Sequence, residues 1–296
     1  MMSIDYIIVQ IINALFYASI LFLISSGLSL IYGIMRILNL AHGAFYMLGA
    51  YIGYTVVMLY LSGADCAFIF SPIIAIIMLQ AIGVGIERGL IKPLYKKPEE
   101  LQLLVTFALV LIFDDLVKIA WGAEYKSFTK IAGGSLKIGN YTIPIYFIGI
   151  ILTGFIVAIF LWWFFSKTLI GRQMKASAYN AEVAAALGVN TDKIFIVSFA
   201  IGSALAGLAG AIAAPILTAY PGMGTEAIVL SFAVIVIGGM GSIAGALTGA
   251  IIAGFARTIM AATYPILEVA LIYIVMVIVL LVKPSGLFGR EEVERR

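Results

Sequence analysis

The stretch GIMRILNLAHGAFYMLGAYIG, residues 33–53, holds the only histidine of the chain, His42, with Arg36, Asn39 and Gly43 close by. Long apolar runs lie on both sides of it. A histidine can serve as a general base or a metal ligand, but both roles need partners. No second histidine and no HExxH pattern is present for zinc. Nothing in the spacing brings Ser26 to His42 as a nucleophile, so an intramembrane enzyme has no constellation to work with. Two readings of the polar group stay open. Arg36 and His42 cap helix ends as ordinary interface residues, or they and Asn39 brace the inner part of a pathway across a membrane. Facing lipid, each would cost several kcal/mol. They are tolerable at the cytoplasmic end of a span, or where a broken helix lines a cavity.

Asp114 and Asp115, in LVTFALVLIFDDLVKIAWG, are the only acidic pair inside an apolar run. At 1.5 Å per residue they fall in the outer third of that run, and Lys118 sits one turn beyond Asp114 on the same face. This is either an outer-mouth site for an amino group, an internal ion pair, or a set of charges that snorkels to the surface. Arg257 and Glu268, on neighbouring apolar segments, pose the same choice.

The elements that hold these residues follow from composition. The chain of 296 residues is 63% hydrophobic and 11% charged, with a mean hydropathy of +1.14, against about 25% charged in a soluble domain. Nine apolar segments can be placed near 6–32, 44–61, 67–86, 101–120, 145–166, 194–214, 226–240, 243–262 and 266–282. A helix needs about 20 such residues to cross the hydrocarbon. The expectation is a single all-α, polytopic membrane domain over residues 1–296, with eight to ten spans. The first segment is long and is expected to break or bend at Ser25-Ser26-Gly27, and the seventh is short. No Lys or Arg precedes the first run in MMSIDYIIVQ, which speaks against a cleaved signal peptide. Cys66 is alone, so no internal disulfide or cysteine cluster is expected. A net charge of +3 gives nucleic acid nothing to hold.

With the N-terminus outside, thirteen Lys and Arg residues gather on one side and Lys118, Lys126, Lys130 and Lys137 on the other, Arg257 lying inside a span. Basic loops stay in the cytoplasm, so the C-terminus is expected there. The external loop, 121–144, reads as a small hairpin about Gly133-Gly134 and Gly139-Asn140, either a docking surface or simply solvated. Small residues recur four apart at Gly49 and Gly53, Ser203 and Gly207, Ala206 and Gly210, and Gly241, Gly245 and Gly249. That spacing serves close helix packing, within the chain or between subunits. The cytoplasmic loop, 167–193, is Ala-rich and predicts one short helix near 174–187, stopped by Gly188. Asn190, Thr191 or Asp192 would cap the next.

In that loop AEVAAALGV resembles the Glu-Ala-Ala signature of ATP-binding-cassette importer permeases, with Glu182, Ala184 and Gly188 in register and Val183 in place of the first alanine. The proline-containing tail of the longer signature is missing. GLSLIYGIMRILNLAHGAFYMLGAY at 27–51 is similar to the hallmark of the LivH-type branched-chain amino-acid permeases, as are IERGLIKPL, GRQMKASAYNAEVAAALGVN and VIGGMGSIAGALTGA. The resemblance implies a transport subunit of the plasma (inner) membrane, not an enzyme. It implies a second permease, two cytoplasmic P-loop ATPases and an external substrate-binding protein as partners, and leucine, isoleucine or valine as cargo. It makes 174–188 the coupling helix, with Glu182, Ala184, Ala185 and Gly188 against the ATPase. No cofactor of its own is implied, since ATP belongs to the partners. The chain contains no Gly-Lys dipeptide and so no P-loop of its own. The rival is a secondary transporter driven by an ion gradient, which needs neither the coupling helix nor an ATPase.

Overall fold

The computed structural model describes residues 3–60, 67–95, 97–128 and 133–289. Cys66, Lys96, Lys130, Arg290, Arg295 and Arg296 lie outside them. All nine apolar segments fold as helices. α1 is Ile4–Met35, α2 is His42–Tyr54 and continues as a π-helical stretch to Tyr60, and α3 is Ala67–Ile86 with a π and 3₁₀ tail to Leu94. α4 is Glu99–Trp121 and α5 is Ile145–Lys167. The 167–193 loop forms α6, Leu169–Tyr179, and α7, Ala181–Ala186. α8 is Thr191–Leu217, α9 is Met223–Gly238, α10 is Ile243–Thr263 and α11 is Ala270–Val282. By length and composition alone, α1, α3 with its tail, α5, α8 and α10 can each cross a membrane, while α9 and α11 are shorter apolar helices.

α8 is the axis of the bundle. It packs against α1, α2 and α3, and 78% of its most apolar window is buried, against 17% for α5. A soluble protein could not leave Ile77, Phe155 and Trp162 each half or more exposed on neighbouring helices. On a membrane protein such faces meet acyl chains. The small-residue ladders serve packing inside this chain. Gly49 lies against Gly207, Gly53 against Ala211, Gly245 against Gly238 and Gly241 against Gly33.

One expectation for α1 fails. The helix runs unbroken through Ser25-Ser26-Gly27 for 32 residues, about 48 Å. Polar side chains do not interrupt it because they are satisfied without unwinding. Ser26 donates to the Leu23 carbonyl at 3.0 Å and Ser25 to that of Ser231 at 3.5 Å. Gly27 admits the Gly202 carbonyl and the His42 ring. The break comes later, at Arg36, whose left-handed backbone (φ 56°) closes α1. The single helix expected near 174–187 is also two. The Asn180 side chain leaves the helix and accepts the Glu182 and Val183 amides, both at 3.0 Å, so it starts α7 instead of continuing α6.

The hairpin expected within 121–144 forms. β1, Ser135–Ile138, pairs antiparallel with β2, Tyr141–Pro144, in the register Leu136 to Ile143 and Ile138 to Tyr141. Gly139, at φ 56°, provides the positive dihedral that the first position of a two-residue II′ turn requires. The start of α1 holds the hairpin, with Asp5 against Gly139 and the Tyr6 and Tyr141 rings 5.9 Å apart.

Candidate functional site

After Arg36 the chain doubles back. Ile37, Asn39 and Ala41 are buried as it returns alongside α1. Its next helix opens at His42, whose Nε2 lies 2.8 Å from the carbonyl of Ile24. Ile24 is twelve residues before Arg36, about 18 Å along the axis. A carbonyl only accepts, so Nε2 carries the proton and donates, and Nδ1 is left without a partner. α2 therefore begins well inside the bundle, a discontinuous helix whose N-terminal amides and positive dipole end point into the protein. Beside it Asn39 is 1% exposed, and neither its carboxamide oxygen nor its nitrogen has a hydrogen-bond partner. The backbone can enter here because Gly43 meets the backbone of Gly224, at the start of α9, with no side chain between. Asn39, His42 and Gly43 are thus buried together in the bundle, whereas Arg36 stays at the end of α1, about 18 Å along the axis from the carbonyl that His42 reaches. His42 is a buried strut and Arg36 an exposed cap.

This arrangement predicts a contrast between neighbours. His42→Ala removes a buried hydrogen bond and leaves a cavity, and should destabilise the chain by about 2–4 kcal/mol. Asn39→Leu replaces an unpaired buried amide by an apolar group of similar volume, which costs little and can stabilise. Thermal unfolding of both purified variants by circular dichroism in one detergent would check the order. A larger loss for Asn39→Leu would contradict it.

Asp114 and Asp115 stand apart from these residues. They lie on α4 some 18 Å along the axis from Gln102, which borders a cavity of about 430 Å³ together with Arg36. Lys118 holds Asp114 at 2.5 Å and Asp115 at 3.1 Å, so the internal ion pair is formed. Arg257 and Glu268 likewise pair, at 3.1 Å, with the Arg257 guanidinium over the Tyr17 ring.

The 167–193 loop presents a second surface. Gly188 donates to the Ala185 carbonyl at 2.9 Å and Val189 to that of Ala184 at 3.0 Å. This pair of bonds, with Gly188 at φ 89°, is a Schellman stop. Of the four coupling candidates Glu182, Ala185 and Gly188 are exposed, and Ala184 packs inward at 2% exposure. The loop also bares Val183, the residue that replaces the first alanine of the signature, and Leu187, 80% exposed, which the signature match did not single out. Asn190 is the cap of α8, accepting from Lys193 at 2.9 Å. Next to that cap, Lys92 pairs with Asp192 at 2.7 Å, and Tyr95 donates to buried Glu87 while its ring meets Phe195 edge-on. Burial and the Glu87 carboxylate push the Tyr95 phenol far above its usual range, so it stays a donor. The tail of α3 is thereby tied to the base of α8. Sequence reading missed this tie because it joins residues a hundred apart.

A discontinuous helix inside a bundle of apolar helices, with an exposed capped loop at one end, is the architecture of a polytopic membrane permease. The family model for the permease component of branched-chain amino acid transport systems matches residues 10–280. LivH of Salmonella typhimurium, a high-affinity branched-chain amino acid transport system permease protein, is 29% identical over 98% of both chains. BraD of Pseudomonas aeruginosa, named in the same terms, is 30% identical over 97% of both. A probable LivH of Methanocaldococcus jannaschii is 27% identical over 94% of this chain and 91% of its own. No solved structure matches the chain. The chain belongs to the family of branched-chain amino acid transport permeases. It is the translocation subunit of an ATP-binding-cassette importer, a transport subunit and not an enzyme.

Proposed function

We propose that the chain, as one integral domain of about nine spans in the inner membrane, carries leucine, isoleucine or valine inward. The observation that carries this reading is the α2 N-terminus opened inside the bundle beside the unpaired Asn39 carboxamide. Half-helix N-termini at membrane depth suit the carboxylate of an amino acid, and the adjacent amide can donate to it. Arg36 guards the inner end, and the α2–α9 crossing at Gly43 is the seam that moves. Asp114 and Asp115, held by Lys118, stabilise the outer half. The N-terminus lies outside and the C-terminus in the cytoplasm, as the basic residues indicate.

The partners are a second permease, two cytoplasmic P-loop ATPases and an external binding protein that docks over the 121–144 hairpin. Glu182, Ala185 and Gly188 meet the ATPase groove, with Ala184 packing the loop from behind. ATP bound by those partners drives alternating access through contacts that differ between two states. The test is recovery of the tagged chain from its native host in mild detergent, with mass spectrometry of what accompanies it, beside a Glu182→Lys, Gly188→Asp variant. A P-loop ATPase with the native chain and none with the variant is expected. No ATPase with either, even after crosslinking, would return the ion-driven transporter to the front.

A further inference from the structure

A second cavity, of about 870 Å³, opens between α1, α5, α6 and the α9–α11 side of the bundle. Its volume is that of a well-formed ligand pocket. The walls are mainly aliphatic and aromatic, Phe165 and Trp162 among them. Trp162 is also 66% exposed on the outer face of α5, so the cavity opens sideways to where acyl chains lie. Arg36, closing α1, and Lys175, on the buried-to-exposed edge of α6, border the same space. None of its described lining residues is acidic. Deeper in, the Ser29 hydroxyl borders the cavity, fully buried and without a hydrogen-bond partner. Ser29, Tyr32 and Arg36 are spaced three and four apart and share one face of α1.

We propose that this cavity is a site for an anionic phospholipid. Arg36 and Lys175 meet its phosphate, Ser29 faces the polar glycerol region and the apolar walls take the upper acyl chains. Basic pockets between membrane helices fit such headgroups. A transported amino acid fits poorly, because its ammonium group would find two cations and no carboxylate. Three lining residues, Met174, Lys175 and Ala178, belong to α6, the first helix of the proposed coupling loop. A lipid seated here therefore supports that loop from beneath. Its assignment to the cytoplasmic leaflet rests on the orientation proposed above, whereas binding in detergent does not.

The test is native mass spectrometry of the full chain, titrated with phosphatidylglycerol or with phosphatidylcholine of the same acyl chains. The first phosphatidylglycerol is expected to bind about tenfold more tightly than phosphatidylcholine. Lys175→Glu should erase the headgroup preference, and Ala178→Trp, by filling the cavity, should remove the first lipid whatever its head. Lys137→Glu, on the external hairpin, should leave binding unchanged, with elution and helical circular dichroism confirming that each variant is folded. Equal affinity for the two lipids would overturn the proposal. So would phosphatidylglycerol binding unaltered in both cavity variants. Displacement of the lipid by free leucine would overturn it too, and give the cavity to the transported amino acid.

Discussion

Gly49→Leu should leave almost no folded chain to recover. α2 crosses α8 at this residue, and a Cβ there would stand 2.6 Å from the Gly207 Cα and closer still to its carbonyl oxygen, where ordinary contact begins at 3.4 Å. Overpacking costs about 1–3 kcal/mol when side chains can turn aside. Here both partners are backbone, so the two helices must separate along the most buried seam of the bundle. Helices in lipid are held by close packing, not by the hydrophobic effect, and have little else to offset the loss. Gly85→Leu is the control, because that glycine is exposed with nothing within 4 Å of its Cβ position. Size-exclusion of both variants in mild detergent should show a monodisperse peak for Gly85→Leu and aggregate or nothing for Gly49→Leu. Equal peaks would mean that the α2–α8 crossing is not the tight contact described.

Leu187→Glu should remove transport and spare the fold. The side chain is 80% exposed, at the C-terminal end of α7, and touches no core. On the proposed reading, in which this loop meets the ATPase, the exposed leucine is its anchor in the partner groove. Loss of such an anchor costs about 2–4 kcal/mol, or roughly 30-fold to 1000-fold in binding. Gly188→Ala should act more weakly. The added Cβ meets nothing, but φ 89° suits only glycine and costs an L-residue about 1–2 kcal/mol, enough to fray the stop that aims Leu187. Uptake of labelled leucine by cells, at matched membrane levels of each variant, measures both effects. Wild-type uptake by Leu187→Glu would remove α7 from the ATPase contact.

Much of the candidate site was legible as residues but not as geometry. Arg36, Asn39, His42 and Gly43 stand out in the chain as polar and small residues between apolar runs, and the structure buries the last three while leaving Arg36 exposed at the end of α1. Their depth was not legible. The bend expected at Ser25-Ser26-Gly27 was inferred from local polarity, and it failed because those side chains find carbonyls within α1 and on α9. The Asp114–Lys118 pair was readable, since helix spacing alone brings the two together. The Lys92–Asp192 pair was not, since it depends on how α3 meets α8.

The sequence by itself determined the membrane class, the apolar helices, the Gly188 stop, the hairpin turn and the family. All of these rest on composition, on short-range spacing or on an ordered run of motifs. Only the tertiary structure decided that α1 is unbroken, that α2 opens inside the bundle, that Ala184 faces inward and that two cations share an apolar cavity. The reason is physical. In water an apolar stripe marks the buried face of a helix, but in lipid every face of a spanning helix is apolar. Which face meets protein is then set by where backbones can approach, at pairs such as Gly43–Gly224 and Gly49–Gly207. Those pairings join residues more than a hundred positions apart.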